Sequence, residues 1–378
     1  MNITVPKQKL SKYLSYTDVI ASSKSTVPVL TNVLLISEGN DFSIHSSNLE
    51  TGIKITDKAV ISEPGALAVN GKKLLSIIRE LPDEDVNLTT DEHNRLTIQS
   101  TSKDIKARFV IAGILKEDFP QIKTEPEDKY IHFKADEFKQ MIRKVIFSIS
   151  TDENKYSLTG VFLEKDNGNL HMVATDGKRL SLVTKSLKDL DIQEEMFHIP
   201  HDGIIIPKIV LTEIIRYSFE DDIINMGFSK NQIFFSYDNI QLTSNLIEGK
   251  FPDYKKIIPE PRERYFISDK SLLYNAIRRV SVLVDESYNQ VKLSILEDRL
   301  LVSSKHPAMG GAVEEIPIEY NGEEIDIAIN YLYLIDCLKE IASDTVKVDF
   351  ENAERVLTVR GEGEENYINL IMPMKINI

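Results

Sequence analysis

An internal threefold repeat constrains this chain more than any other feature, because a period of this length fixes the architecture before any motif is weighed. Three segments open alike: ITVPKQKLSKYLSYTDVIAS from Ile3, YIHFKADEFKQMIRKVIFSIS from Tyr130 and YFISDKSLLYNAIRRVSVLV from Tyr265. Each starts with strand-like residues, passes a polar turn and continues with apolar positions at helical spacing: Leu10 and Leu14, then Phe138, Ile142 and Ile146, then Leu272, Ala276 and Val280. The anchors Leu10, Phe138 and Leu272 lie 128 and 134 residues apart. A second set of helical patterns, GKKLLSIIREL from Gly71, PKIVLTEIIRYSF from Pro207 and NYLYLIDCLKEIA from Asn330, is followed each time by alternating strand runs. Two charged segments with prolines, Asp118 to Asp128 and Lys250 to Arg264, each carry a Phe-Pro where a repeat ends. The pattern predicts three domains, at residues 1–124, 128–252 and 258–378.

Two helices cannot cover both faces of about eight strands. The fold class is therefore α+β: three repeated domains with helices on an inner face and antiparallel sheets outside. Exposed sheet edges invite pairing with other chains. Joining the repeats edge to edge, and closing a ring by oligomerisation, would remove those edges.

The 378 residues hold 45 Lys and Arg against 59 Asp and Glu, a net charge of −14. Bulk attraction to DNA or to a membrane is thus excluded, but a local basic surface is not. The six predicted helical segments carry a surplus of nine positive charges, which leaves −23 on the rest of the chain. A basic helical face on an acidic body suits weak, sequence-independent contact with nucleic-acid phosphates. Zinc-finger spacing, an RNP motif and an Arg-rich tail are all missing.

Catalytic constellations are not legible. The single Cys337 allows no intramolecular disulfide and sits in an apolar helical pattern. Gly65 to Lys73 approaches a P-loop but has the wrong glycine spacing and lacks the Ser or Thr that holds magnesium. His198 and His201 read as a surface turn, and Glu220-Asp221-Asp222 as a solvated loop. No catalytic residue, metal or cofactor is expected. VATDGKRLSLV, from Val173 to Val183, reads as a hairpin whose turn is Thr175-Asp176-Gly177. The competing enzymatic reading is a hydrolase or transferase built on the Asp176 turn. The first residues lack a signal-peptide pattern, and no run approaches about 18 apolar residues, so a soluble cytoplasmic protein without membrane contact is expected.

Five motifs in order carry a resemblance: TVPVLTNVLL at 26–35, SNLETGI at 47–53, ATDGKRL at 174–180, EGKFPDYKKIIP at 248–259 and MPMKI at 372–376. Together they resemble the bacterial DNA polymerase III β subunit family, the replicative sliding clamps, over essentially the whole chain. The resemblance implies a non-catalytic head-to-tail homodimer that encircles duplex DNA. A clamp loader would place it there, and it would tether the polymerase α subunit for processive synthesis. DNA contacts are implied at Lys24, Lys72, Lys73, Lys155, Tyr156 and Lys208. It also implies a hydrophobic groove between the second and third domains, shared by the polymerase and by other replication and repair proteins with clamp-binding peptides. Its matching positions are Leu158, Thr175, Gly177, Lys178, Arg179, Leu180, Pro252, Lys256 and Ile257, with Leu370, Ile371, Met372, Pro373 and Met374 from the chain end. Val282 and Leu283 match the dimer contact. Lys178 stands where related clamps usually carry His.

Overall fold

The computed structural model describes residues 1–21, 27–127, 129–194, 197–200, 202–217 and 222–376. Among them are six α-helices: α1 (Lys7–Asp18), α2 (Gly71–Glu80), α3 (Ala135–Ile146), α4 (Lys208–Arg216), α5 (Lys270–Val280) and α6 (Tyr331–Glu340). Side-chain caps start three of them. Asn70 accepts from the Lys73 amide, Asp269 from Leu272 and Asn330 from Leu332, each satisfying an amide with no partner inside its helix.

In the first repeat Leu10 is buried, as is Phe138 in the second. In the third the register differs from the sequence pattern by one residue. Leu273, Ala276, Ile277 and Val280 are buried, whereas Leu272 is exposed. The Asp269 cap begins the helix at Lys270, which turns position 272 outward and 273 inward. The six helices as folded carry fifteen Lys and Arg against seven Asp and Glu, so the basic surplus persists within the helix boundaries.

The chain forms two compact units, Met1–Ala135 with Arg216–Leu246, and Asp136–Ile215 with Ile247–Ile378. The first contains a thirteen-stranded antiparallel sheet in the order Ile131–Lys134, Ile223–Ser229, Gln232–Tyr237, Ile240–Asn245, Thr51–Lys58, Asp41–Ser47, Asn32–Glu38, Gly65–Asn70, Arg108–Ile114, Arg95–Ser100, Asp85–Thr90, Asn2–Pro6, Val60–Glu63. The second contains an eight-stranded sheet, Ile204–Pro207, Gly160–Asp166, Asn169–Thr175, Arg179–Ser186, Tyr367–Ile371, Leu357–Gly361, Thr345–Asp349, Tyr265–Asp269. Its four-stranded companion runs Gly310–Pro317, Arg299–His306, Gln290–Leu296, Ile325–Asn330.

Two pairings explain why the units cut across the middle repeat. The last strand of that repeat, Ile240–Asn245, pairs with Thr51–Lys58 of the first, with Thr243 opposite Gly52. The last strand of the third repeat, Tyr367–Ile371, pairs with Arg179–Ser186 of the second, with Leu370 opposite Leu180. Each junction is a continuous sheet, so the edges expected to be hazards are paired.

A pH dependence follows from His45 on the strand Asp41–Ser47. Burial, helped by the charges of Lys54 and Lys116, lowers its pKa to about 4. The unfolded chain therefore binds a proton that the folded chain refuses between pH 6.5 and about 4. Stability falls as pH drops through that window, by at most about 3 kcal/mol. His45→Gln should flatten this part of a denaturant-midpoint profile; an unchanged slope would remove His45 as its source.

Candidate functional site

The hairpin Asn169–Thr175 with Arg179–Ser186 presents one turn whose hydrogen bonds are closed internally. Asp176 Oδ1 accepts from the amides of Lys178 at 2.8 Å and Arg179 at 3.0 Å, and Thr175 Oγ1 accepts from Gly177 at 3.0 Å. Gly177 has φ +89°, a conformation that favours glycine. The first repeat builds the same turn: Asn48 Oδ1 accepts from Glu50 and Thr51, and Ser47 Oγ from Leu49.

Arg179 locks the turn to its surroundings. Nε donates to Asp176 Oδ2 at 3.2 Å, Nη1 to Asp336 Oδ2 at 2.7 Å and Nη2 to the Phe147 carbonyl, while the guanidinium lies over the Tyr333 ring at 4.6 Å. Asp176 is thus spent on backbone amides and an arginine. The same turn standing on Asn48 in the first repeat shows that the scaffold needs an acceptor here, not an acid. The hydrolase or transferase reading of Asp176 is not supported.

The opposite wall is the single turn Tyr254–Ile257. The Tyr254 hydroxyl donates to Glu164, and the Lys255 ammonium bonds Glu164 at 3.0 Å and Asp166 at 2.8 Å. Glu164, Asp166 and His171 converge as metal ligands would. Lys255 already supplies the cation between the carboxylates, and burial lowers the His171 pKa, so the cluster fastens the segment to the sheet. Beneath lies an apolar cluster of Val173, Leu180, Leu182, Ile205, Ile247, Phe251, Tyr254 and Leu370, with Phe162 stacked on Phe251 at 4.9 Å.

Between these walls is a cavity of about 480 Å³. Nine predicted groove residues line it: Thr175, Gly177, Lys178, Arg179, Leu180, Lys256, Ile257, Leu370 and Met372. Leu158 instead packs against the apolar cluster, and Ile371 is buried in the sheet. Pro252, Pro373 and Met374 are outside the lining; the Met374 amide is turned to the Ala328 carbonyl at 2.7 Å. Sequence reasoning missed Ile258, Pro259 and Arg262 on the linker, and Glu351, Glu354, Arg355 and Val356 on the loop after Thr345–Asp349. The linker residues continue the Phe-Pro segment and were within reach of that signal. The loop residues carry no motif and come to the groove only through strand pairing.

Lys72 and Lys73 lie exposed in the first turn of α2, and Lys208 opens α4, also exposed. Tyr156 is 57% exposed. Lys155 donates to the Asp176 carbonyl at 2.8 Å, so it also braces the groove turn. Lys24, His201, Glu220 and Asp221 lie outside the described residues. After α5, Val282 is 77% exposed and Leu283 half-buried.

Cys337 is buried in α6 and donates to the Leu334 carbonyl, and burial pushes its thiol pKa well up. It should resist a thiol reagent such as DTNB until the protein is unfolded. Rapid stoichiometric labelling of the native chain would contradict this burial.

Three edge-joined α+β repeats and a shaped apolar groove whose polar groups are spent on structure define a docking scaffold. Models of the DNA polymerase III beta subunit match along the chain: the N-terminal domain at 1–123, the central domain at 132–253 and the C-terminal domain at 255–375. The beta sliding clamp of Pseudomonas aeruginosa is 26% identical over 100% of both chains, and that of Caulobacter vibrioides 29% over 100% of both. A crystal structure of the C. crescentus beta sliding clamp superposes with a TM-score of 0.92 at 29% identity, covering 100% of this chain and 99% of that one. The P. aeruginosa clamp solved with griselimycin gives 0.89 at 26%, covering 100% of both. The chain belongs to the DNA polymerase III beta subunit family. It is a DNA sliding clamp, a replication protein that performs no catalysis.

Proposed function

We propose that two copies close head to tail around duplex DNA and tether the polymerase through the groove lined by Leu180 and Met372. The observation that carries this reading is the pair of strand edges left over by the joining rule. Arg108–Ile114 is the last strand of the first repeat, equivalent to Ile240–Asn245 and Tyr367–Ile371. It pairs with its own repeat at Arg108–Ala112 on one side and only at Gly113 and Ile114 on the other. Gly310–Pro317, equivalent to Thr51–Lys58 and Arg179–Ser186, is an outer strand of its sheet. Repeating the register of the two internal junctions places Val110 of one copy opposite Gly311 of the next. Val313 is 70% exposed and Val110 49%, an apolar pair of edges suited to burial in such a contact.

The reading divides the chain into domains at residues 1–124, 128–252 and 258–378. It assigns Val282 and Leu283 to the contact between copies. Lys24, Lys72, Lys73, Lys155, Tyr156 and Lys208 then serve as phosphate-facing positions, and the protein works in the cytoplasm alongside the clamp loader. Sedimentation should give twice the 43.0 kDa chain mass; a monomer at micromolar concentration would contradict the edge pairing. Lys72→Ala with Lys73→Ala should weaken DNA binding and lower the slope of log affinity against log salt by up to about two, at about 0.9 for each phosphate no longer neutralised. An unchanged slope would remove these lysines from the DNA path.

A further inference from the structure

The groove wall is cationic in a way that the apolar docking reading leaves unused. Five basic residues line it, Lys178, Arg179, Lys256, Arg262 and Arg355, against Glu351 and Glu354. Two of the five are already neutralised. Arg179 is held by Asp176 and Asp336, and Lys256 pairs with Asp253 at 2.7 Å. Lys178, Arg262 and Arg355 have no carboxylate within ion-pair distance among the described residues. Arg262 is also held in place: it is half-buried, and Nη1 donates to the Val356 carbonyl at 2.5 Å. Val356 in turn packs on the apolar cluster. A guanidinium tethered by one nitrogen keeps its remaining donors aimed from a fixed position, so less rotamer freedom is lost when a carboxylate arrives.

We propose that Arg262, with Arg355 and Lys178, makes this groove select partner segments in which acidic side chains flank the apolar anchors. The inference rests on the groove being the peptide-docking site. The apolar floor of Leu180, Leu370 and Met372 receives the anchors and supplies most of the affinity. The unpaired cations supply discrimination, because a carboxylate beside them replaces water with a charge-assisted pair whereas a neutral or basic side chain does not. Glu351 and Glu354 offset part of the field, and they penalise acids placed beside them. The preference is therefore for an acid at the Arg262 side and not for indiscriminate negative charge.

The test uses the full-length protein and three fluorescent synthetic peptides sharing a leucine and phenylalanine core, flanked by two Asp, two Asn or two Lys. In anisotropy titrations at low ionic strength the Asp peptide should bind about tenfold tighter than the Asn peptide, with the Lys peptide weakest. That preference should shrink with added salt. Arg262→Gln with Arg355→Gln should bring the Asp peptide down to the Asn peptide and leave the Asn peptide unchanged; Arg262→Lys should restore part of the difference. Equal binding of the three peptides would overturn the inference and leave the groove standing. Failure of all three to bind would overturn the groove reading, and the inference with it.

Discussion

The double variant Leu180→Ala, Met372→Ala should lose at least about a hundredfold in affinity for a polymerase clamp-binding peptide while remaining dimeric. Both side chains line the groove, and each contributes apolar surface that a docked segment would remove from water. At about 25 cal/mol per Å², burying a side chain of this size against a partner is worth about 1.5 to 3 kcal/mol, so two truncations reach the stated loss. Leu180 also belongs to the apolar cluster, so part of its removal will appear as lower stability. Met372 is 46% exposed, and Met372→Ala alone should weaken the peptide without moving the unfolding midpoint. Unchanged affinity in the double variant, measured by titration calorimetry, would mean that the groove is elsewhere.

Val282→Asp with Leu283→Asp should convert the dimer to monomers. Val282 is the most exposed of the large apolar residues, on the single turn that ends α5. Burying two unpaired carboxylates in an interface costs several kcal/mol each, which raises the dimer dissociation constant by at least about a thousandfold. Sedimentation at micromolar concentration should then give the single-chain mass of 43.0 kDa with an unchanged circular dichroism spectrum. A persisting dimer would place the contact away from this turn and leave the strand edges to carry it alone.

Much of the fold was legible because its signals are local. The helix anchors Leu10 and Phe138, the Phe-Pro boundaries at Phe119 and Phe251, and the Asp176 turn each declare themselves within a few residues. Leu272 shows the limit: the spacing of apolar residues permits two registers, and the cap at Asp269 decides between them. The junction pairs Thr243 with Gly52 and Leu370 with Leu180 lie 191 and 190 residues apart, and no local pattern encodes them. Nor does any encode the cationic loop: Arg355 meets the groove only because Leu357–Gly361 lies beside Tyr367–Ile371, itself beside Arg179–Ser186. Net charge was the most misleading global number. The −14 total conceals helices in which basic residues outnumber acidic ones by fifteen to seven.

That distribution matters because encirclement removes the need for tight binding. A closed pair of chains remains on DNA without gripping it, and weak phosphate contacts let it slide. The decisive measurement is retention on DNA before and after the circle is cut. Loaded onto nicked circular DNA by its clamp loader and separated by gel filtration, the protein should co-elute with the circle at a salt concentration that abolishes ordinary electrostatic binding. Cutting the circle once with a restriction enzyme should release it within minutes. Continued co-elution with the linear DNA would contradict encirclement and assign its hold on DNA to direct contacts.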